Sequence, residues 1–547
     1  MEKKNNNQFH EFILGVDLGT TNTVMAVIDP SGIPKVLPNL AGNLVTPSSV
    51  SVASKPPLVG KLAKPDKILN PELVAEQFKK LMDRVAEEGD SIPLLVAPDK
   101  TEYTPPMLSA EVLHYEKRSA EKILGCSITK AVIGVPAYFR YRARQATKDA
   151  ALIAGFEEVL IVDEPTAAAT HYGLEKMGKN NEKVAVLDFG GGTFDVSILD
   201  VKSTGQIDPV AVDGDPECGG SNIDEILFVK AQDTFAKKGH PLNPSEDLAT
   251  WYEVLDYCEK AKENLAWTDA AVVPLRIGEE RTSIEFTYDE LERCSAPIIE
   301  VLRNCCLRAL EKARIKAKEI DKVVLVGGST RLRFVPKLAE DIFGQKPKTD
   351  ADPDMVIALG CAIIGAAHFG KSTDAINIGG HVYLPSAIKS TQIAARDLCV
   401  AAVMKKDQGD NREYNVALIP AGAKLPFEAK QVFTPIKPGA SAVAVKLIDG
   451  KPDDLSSNYT PLEQVEVQVQ PTDEANNEDR IEFTTKMDIE ALVHISVRDK
   501  LLNKPVPIKF TFHAGLLDRD LDEQRQKLIA RHKDDDQLNT EQKGKRS

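Results

Sequence analysis

The sequence predicts an α/β domain followed by a smaller β-sandwich domain. Apolar runs typical of strands alternate with helical patterns as far as Gly370, which indicates an α/β fold. After Gly370 the helical period disappears, and apolar residues alternate with polar ones as in strands that bury one face. One strand–turn–strand unit also occurs twice before Gly370, which predicts two related halves.

Composition excludes several classes of protein. The chain has 547 residues, so two or three domains are expected, and its net charge of -14 argues against a broad nucleic-acid surface. No apolar run approaches the roughly 18–20 residues that span a bilayer, and the N-terminus is polar. The eight cysteines show no zinc-binding spacing. We expect a cytoplasmic protein with reduced thiols and with neither nucleic acid nor membrane as a partner.

Residues 1–370 carry the predicted α/β elements. The expected strands include Phe12–Val16, Val24–Ile28, Ala131–Val135, Val184–Leu187, Val196–Leu199 and Val323–Val326. The expected helices include Ser109–Leu124, Arg142–Ala154, Leu291–Ala313 and Phe334–Phe343. Strands that alternate with helices in this way predict an α/β domain.

The remainder of the chain divides into three predicted parts. Residues 371–392 contain many Ser, Thr, Asn and Gly residues and are expected to be a linker. Residues 393–515 are expected to form the β-sandwich, because period-two alternation recurs there between turn residues. Residues 516–547 are charged and are expected to form a tail, with a short helix near 521–532 that would be the stub of a lid.

The repeated unit carries the candidate chemistry. Asp17–Asn22 and Asp188–Asp195 each lie between two strands, and their leading aspartates are 188 − 17 = 171 positions apart. Glycine-rich turns expose N–H groups to phosphate, threonine hydroxyls add donors, and a carboxylate is useful beside them when Mg²⁺ is bound. Two ordinary tight hairpins are the alternative, but the second copy favours phosphate binding in a cleft between two halves.

A third candidate turn follows the strand Val323–Val326. Gly327 and Gly328 form the turn, and the helical pattern Phe334–Phe343 comes next, so a helix N-terminus would face an anion there. The chain has no GxxxxGK[ST] motif, which excludes a P-loop enzyme.

Five ordered motifs resemble the seventy-kilodalton heat-shock chaperones over nearly all of residues 10–370. The motifs are Asp17–Asn22, Val135–Phe139 with Arg144–Ala150, Val162–Ala169, Asp188–Asp195 and Val326–Arg331. The resemblance implies a two-lobed, actin-like ATPase domain. Actin and sugar kinases belong to the wider superfamily, but Val135–Phe139 and Glu164–Ala169 point to its chaperone branch.

The same resemblance implies roles for individual residues. Asp17 and Asp188 would hold hydrated Mg²⁺, and Lys79 would position the attacking water. Glu164 and Thr193 would assist catalysis together with Asp188, and Asp195 would accept a proton or bind a cation such as K⁺. The residues expected to contact phosphate are Gly19, Thr20, Thr21, Asn22, Gly190, Gly191, Gly192 and Thr193.

The adenosine of ATP or ADP is expected at the other end of the cleft. The residues expected there are Glu259, Lys262, Glu263, Gly327, Gly328, Ser329, Arg331 and Asp354. Glu263 stands where the family often has a basic residue, and Ala266 where serine usually contacts the base. Pro136 and Arg144 resemble the family's relay between the nucleotide and the partner domain.

The second domain resembles the family more loosely. The matching segments are Leu418–Pro426, Gln431–Thr434, Ser441–Val445 and Val493–Asp499. In this interpretation, an extended apolar peptide binds in a cleft lined by Val400, Phe433, Val443 and Val445. The alternative is that these four side chains belong to the core.

Two departures from the family concern the linker and the lid. The usual run of leucines between the domains is replaced by residues 374–380 and a longer polar stretch, so we expect weaker coupling between the domains. Only 547 − 515 = 32 residues follow Gly515, too few for a complete lid. Bound peptide should therefore leave faster, because differences in affinity appear mainly in off-rates.

The function expected from the sequence is ATP-dependent binding and release of unfolded polypeptides. J-domain co-chaperones and nucleotide exchange factors are the partners that the resemblance implies. The alternatives are a nucleotide-gated scaffold or co-chaperone of the same fold with weak ATPase activity, and a sugar or metabolite kinase.

Overall fold

The structure is a computed structural model of the chain. It describes residues 11–84, 92–174, 180–245, 247–277, 280–348, 352–371, 375–378, 381–403, 412–473, 478–502, 504–506 and 521–532.

The first α/β unit, residues 11–174, is built on a six-stranded sheet. In spatial order its strands are Glu158–Asp163, Lys130–Val135, Ile13–Leu18, Asn22–Ile28 and Pro34–Leu37, with Thr46–Pro47 also paired to Asn22–Ile28. The smaller strands are Ser49–Ser51, Leu58–Val59, Val74–Glu76, Leu95–Val96 and Glu102–Tyr103. The α-helices are Asp66–Leu69, Pro105–Leu124, Tyr141–Ile153 and Glu164–Leu174.

The second α/β unit, residues 180–348, is built on a five-stranded sheet that a later segment completes. In spatial order the strands are Lys322–Val326, Glu182–Phe189, Phe194–Val201, Gln206–Asp215 and Lys389–Ser390. A separate hairpin joins Ala270–Ile277 to Glu280–Thr287. The α-helices are Gly220–Lys237, Leu248–Leu265, Tyr288–Cys294, Ala296–Ala313 and Phe334–Phe343, and Val356–Phe369 follows the unit.

The predicted duplication is confirmed by strand pairing. Ile13–Leu18 pairs antiparallel with the next strand and parallel with Lys130–Val135. Glu182–Phe189 does the same with its own hairpin partner and with Lys322–Val326. Both leading aspartates therefore lie at the carboxyl end of a central strand, where ligands bind in open α/β sheets.

One predicted helix is wrong as a continuous element. The stretch expected at Leu291–Ala313 is divided between Tyr288–Cys294 and Ala296–Ala313. Ser295 is the break, and Pro297 lies in the first turn of the second helix, where its missing N–H costs nothing. The predicted helix Phe334–Phe343 is confirmed.

The β-domain, described at residues 393–403, 412–473, 478–502 and 504–506, has two four-stranded antiparallel sheets. The first contains Glu413–Ile419, Leu398–Val403, Ala442–Asp449 and Glu463–Gln468, in spatial order. The second contains Phe427–Phe433, Ile481–Met487, Val493–Asp499 and Lys504–Val506. Alternating residues of both sheets share one apolar core, as the period-two pattern predicts. The last residues of the predicted β-sandwich, 507–515, lie outside the described residues.

The predicted linker has secondary structure of its own. Ile376–Ile378 and His381–Tyr383 form a hairpin, and Ile376 and Ile378 are buried against the first α/β unit. Residues 389–392, which we call the connector segment, then run beside the second sheet. Lys389 and Ser390 pair in parallel with Gln206 and Ile207.

The predicted tail helix is present at residues 521–532 and packs on the first α/β unit. Leu528 is buried in the core of that unit. Arg531 Nη1 and His532 Nε2 both contact the buried Glu111 carboxylate at 2.8 Å. Among the described residues, no helix is long and apolar enough to cross a membrane, and no cluster of metal-ligating side chains was found.

Glu116, on the helix Pro105–Leu124, makes stability depend on pH. Burial raises the pKa of Glu116 to about 7 from 4.5. The folded state thus holds a proton that the unfolded chain has lost, so stability falls as pH rises from 4.5 to about 7. We expect Glu116→Gln to remove this loss and to raise the free energy of unfolding at pH 8 by up to about 3 kcal/mol.

Urea unfolding followed by circular dichroism at pH 5 and pH 8 measures this effect. Glu311→Gln, at an exposed position of the helix Ala296–Ala313, is the matched control. An equal change at both pH values would contradict the assignment.

Candidate functional site

The two repeated hairpin turns meet at a cavity of about 320 Å³. The structure brings most of the predicted nucleotide residues together around it. The lining includes Asp17, Gly19, Thr20, Thr21, Asn22, Lys79, Glu164, Asp188, Gly190, Gly191, Thr193, Glu259, Lys262, Glu263, Gly327, Gly328, Ser329, Arg331 and Asp354. Of the predicted nucleotide residues in the second turn, Gly192 and Asp195 do not line the cavity.

The glycine turns come so close together that side chains are excluded. A Cβ at Gly191 would lie 1.9 Å from Thr21 Oγ1, closer than any real contact. The second turn is also tied to the start of the helix Gly220–Lys237, since the Gly220 and Ser221 N–H groups each donate to it at 2.9 Å. The contact between the two turns therefore depends on glycine.

Four carboxylates, which we call the acid cluster, lie around the inner end of the cavity, and three of them are buried. Asp17, Asp188 and Asp195 end or begin the strands of the two hairpins, and Glu164 starts the helix Glu164–Leu174. Burial, and then the Glu164 carboxylate, raise the pKa of Asp17 to about 8 and that of Asp195 to about 8. The same two causes raise the pKa of Asp188 well above its ordinary value.

Lys79 compensates part of this charge. It lies on the short 3₁₀ helix Phe78–Leu81, which starts after Gln77 in the left-handed region (φ 55°). Its Nζ donates to Glu164 Oε1 at 2.8 Å and lies 5.5 Å from the centre of the Phe139 ring. Only 3% of Lys79 is exposed, so the ammonium is held in place by its neighbours.

The acid cluster suits a hydrated divalent cation, for which bound waters supply most of the ligands. Among the residues that the structure describes, Asp188 Oδ2 and Asp195 Oδ2 are buried and receive no hydrogen bond. Asp195 Oδ1 accepts the Tyr138 N–H at 3.0 Å, so its second oxygen is the one left over. Unpartnered carboxylate oxygens are costly unless a cation or proton reaches them, and oxygen ligands suit Mg²⁺.

The outer end of the cavity is made by the helix Leu248–Leu265 and by the Gly327 turn. Lys262 Nζ donates to Asp224 at 2.7 Å and to Gly220 O at 3.2 Å. Gly327 adopts φ +82°, and a Cβ there would lie 2.5 Å from Phe189 O.

Arg331 follows that turn. It donates to Asp352 at 2.8 Å and to Asp354 at 2.6 Å, so its guanidinium is fixed beside the cavity.

The predicted relay residues lie next to the cluster. Pro136 follows the strand Lys130–Val135, and Arg144 is buried on the helix Tyr141–Ile153. Arg144 pairs with Asp163, the residue before Glu164, and donates to Gln392 of the connector segment at 3.4 Å. The Arg144 guanidinium thus contacts both Asp163, which precedes Glu164 of the acid cluster, and the connector segment.

The four predicted peptide-binding residues differ in exposure. Val400 and Val445 are buried in the β-domain core. Phe433 and Val443 are partly buried at its edge, and Phe433 packs edge-on against Phe483 with ring centres 5.1 Å apart.

Sequence reasoning missed the residues that join distant segments. Lys148 pairs with Glu490 of the β-domain, and Glu490 Oε1 also accepts the Ile161 N–H at 2.9 Å. Lys80 Nζ donates to Ser221 at 2.7 Å and so connects the two α/β units. These contacts span up to 342 positions, and no local pattern marks them.

The chain is similar to one protein family over nearly its whole length. The family model described as "Hsp70 protein" matches residues 13–547. The chain is 34% identical to the "Chaperone protein DnaK" of Thermotoga petrophila over 497 residues, which is 89% of this chain and 78% of that protein. The protein of the same name from Thermosipho africanus is 34% identical over 496 residues, with the same coverage of both chains.

Replacing Lys79 tests whether the cavity hydrolyses nucleotide. We expect Lys79→Ala to lower steady-state ATP turnover by on the order of 10²-fold, because it removes the ammonium that we expect beside the reacting phosphate. Phosphate release measures turnover, and calorimetry measures MgADP binding, which should survive. Lys122→Ala, an exposed lysine at the end of the helix Pro105–Leu124, is the control. Unchanged turnover in a folded Lys79→Ala variant would contradict the assignment.

Proposed function

Since the chain belongs to the Hsp70 family and is an ATP-dependent molecular chaperone with ATPase activity, we propose how its parts divide that work. Residues 1–370 would be a two-lobed, actin-like ATPase domain, and residues 393–515 a β-sandwich that binds substrate. Residues 371–392 would link them, and residues 516–547 would be a tail with a stub of lid. The family match does not favour a sugar kinase or a scaffold with weak ATPase activity.

The buried acid cluster beside Lys79 is the observation that carries the proposal. The turn residues Thr20, Thr21 and Gly190–Thr193 would surround the phosphates with N–H and O–H donors. Asp17 and Asp188 would hold Mg²⁺, which neutralises phosphate charge when it is bound. The unpartnered Asp188 Oδ2 supports this arrangement.

Hydrolysis requires a positioned water and little further covalent chemistry. Lys79 would orient the water and offset charge on the terminal phosphate, while Glu164 holds the Lys79 ammonium at 2.8 Å. Thr193, which lines the cavity, would add a hydroxyl donor. Asp195, whose Oδ2 has no donor among the described residues, would receive the proton or bind a cation such as K⁺.

Peptide binding would occur at the edge of the β-domain. The partly buried Phe433 and Val443 leave apolar surface for an extended chain, and Val400 and Val445 would support them from the core. Such a segment offers backbone donors and acceptors whatever its sequence, which suits many unfolded clients.

Coupling would run through contacts between the β-domain and the first α/β unit. Tyr141 Oη donates to Arg396 O at 2.5 Å, and Arg142 donates to Leu462 O. The pair of Lys148 and Glu490 adds a charged contact. We expect ATP to favour this docked arrangement and so to alter the peptide site.

J-domain co-chaperones and nucleotide exchange factors remain proposed partners. A cytoplasmic location remains a prediction too; it agrees with eight cysteines that are all free thiols.

Glu490 offers a test of the coupling. Glu490→Ala removes the acceptor for both Lys148 and the Ile161 N–H, and contacts to a charged group are worth about 1.5–3 kcal/mol. We expect the factor by which ATP raises the peptide off-rate to be about tenfold smaller in this variant, while the off-rate without ATP stays unchanged. Stopped-flow anisotropy of a labelled unfolded peptide measures both rates.

Glu428→Ala is the matched control, because this exposed glutamate of the β-domain pairs with Lys486 of its own sheet at 3.0 Å. Wild-type peptide release that ignores ATP would overturn the proposed coupling. A full response to ATP in Glu490→Ala would show that the Glu490 contacts do not carry it.

A further inference from the structure

A tryptophan stands at the rim of the nucleotide cavity. Trp267 lines the cavity, yet 76% of the residue is exposed. Tryptophan usually buries most of its large apolar surface, so an indole left open beside a cavity needs an explanation. The chain has two tryptophans, and the other, Trp251, packs edge-on against Phe228 with ring centres 4.5 Å apart.

The position of Trp267 is set by the helix Leu248–Leu265. Within that helix Lys262 contacts Gly220, whose N–H bonds the second glycine turn. The chain then passes a turn in which the Trp267 N–H donates to Asn264 O at 2.9 Å. Trp267 therefore lies on the cavity wall just beyond the end of the helix whose Lys262 contacts the second glycine turn.

The surroundings of Trp267 suit a flat, weakly polar group. Ala266 and Leu332 also line the cavity and contribute apolar surface. Arg331 lines it too, with a planar guanidinium held by Asp352 and Asp354. Aromatic rings stack well on both indole and guanidinium faces.

We propose that the Trp267 indole stacks on the purine base of the bound nucleotide and makes the base end of the cavity selective for an aromatic ring. The proposal rests on the nucleotide site described above. Trp267 would be a specificity residue and would not take part in phosphoryl transfer. The base would cover the exposed face of the indole.

Fluorescence provides the first test. In a Trp251→Phe background, Trp267 is the remaining tryptophan, so MgADP should change its emission on binding. Magnesium tripolyphosphate, which has phosphates and no base, should bind without that change. Emission that ignores MgADP, while calorimetry shows MgADP bound, would overturn the proposal and leave the nucleotide site intact.

Affinity provides the second test. Base stacking on an aromatic side chain predicts that Trp267→Ala weakens MgADP binding about tenfold, while tripolyphosphate binding stays the same. Trp267→Phe should restore most of the loss, because a smaller ring still stacks. Equal weakening of both ligands would assign Trp267 a structural role, against the proposal. Absence of MgADP binding to the wild-type chain would instead refute the nucleotide site itself.

Discussion

The structure depends on one electrostatic constraint, which is the burial of several carboxylates around the Lys79 ammonium. Asp17 and Asp188 come from equivalent strand ends of the two α/β units, and Glu164 and Asp195 join them. Acids brought this close in a desolvated place repel one another unless protons or cations intervene. The folded chain thus carries a large electrostatic cost where its two α/β units meet, and a bound cation would relieve it.

The acid cluster is linked to the connector segment through residues that are neighbours in sequence. Asp163 and Glu164 are consecutive, yet Asp163 pairs with Arg144 and Glu164 with Lys79. A shift of the backbone at Glu164 would also move Asp163, and with it the Arg144 guanidinium that donates to Gln392. Closely packed and hydrogen-bonded side chains transmit such shifts, because no free space is left to absorb them. This gives a physical route from the acid cluster to the connector segment.

Sequence reasoning was most successful where local chemistry decides the structure. The two Asp-Gly-Thr hairpins and the helix Phe334–Phe343 are set by turn residues and by the apolar period. It did not predict the helix break at Ser295, because the apolar residues keep their helical period across the break.

Contacts between segments that are distant in sequence could not be predicted either. The hairpin at Ile376–Ile378 exists because its isoleucines pack on the first α/β unit, and composition alone suggested a plain linker. The Glu490 contacts join segments that only the folded chain brings together. The peptide-binding residues of the β-domain remain predictions.

The connector segment has a consequence for temperature. It is held by strand pairing, by Thr391 Oγ1 donating to Asp208 at 2.9 Å, and by Gln392 donating to Ile161 O at 3.1 Å. Burial of leucines would be driven by entropy near 25 °C and would carry a large change in heat capacity. Hydrogen bonds are instead favoured by enthalpy, so the contacts of the connector segment would be stronger in the cold and weaker on warming. If the connector segment carries the proposed coupling between the domains, that coupling would weaken as the temperature rises.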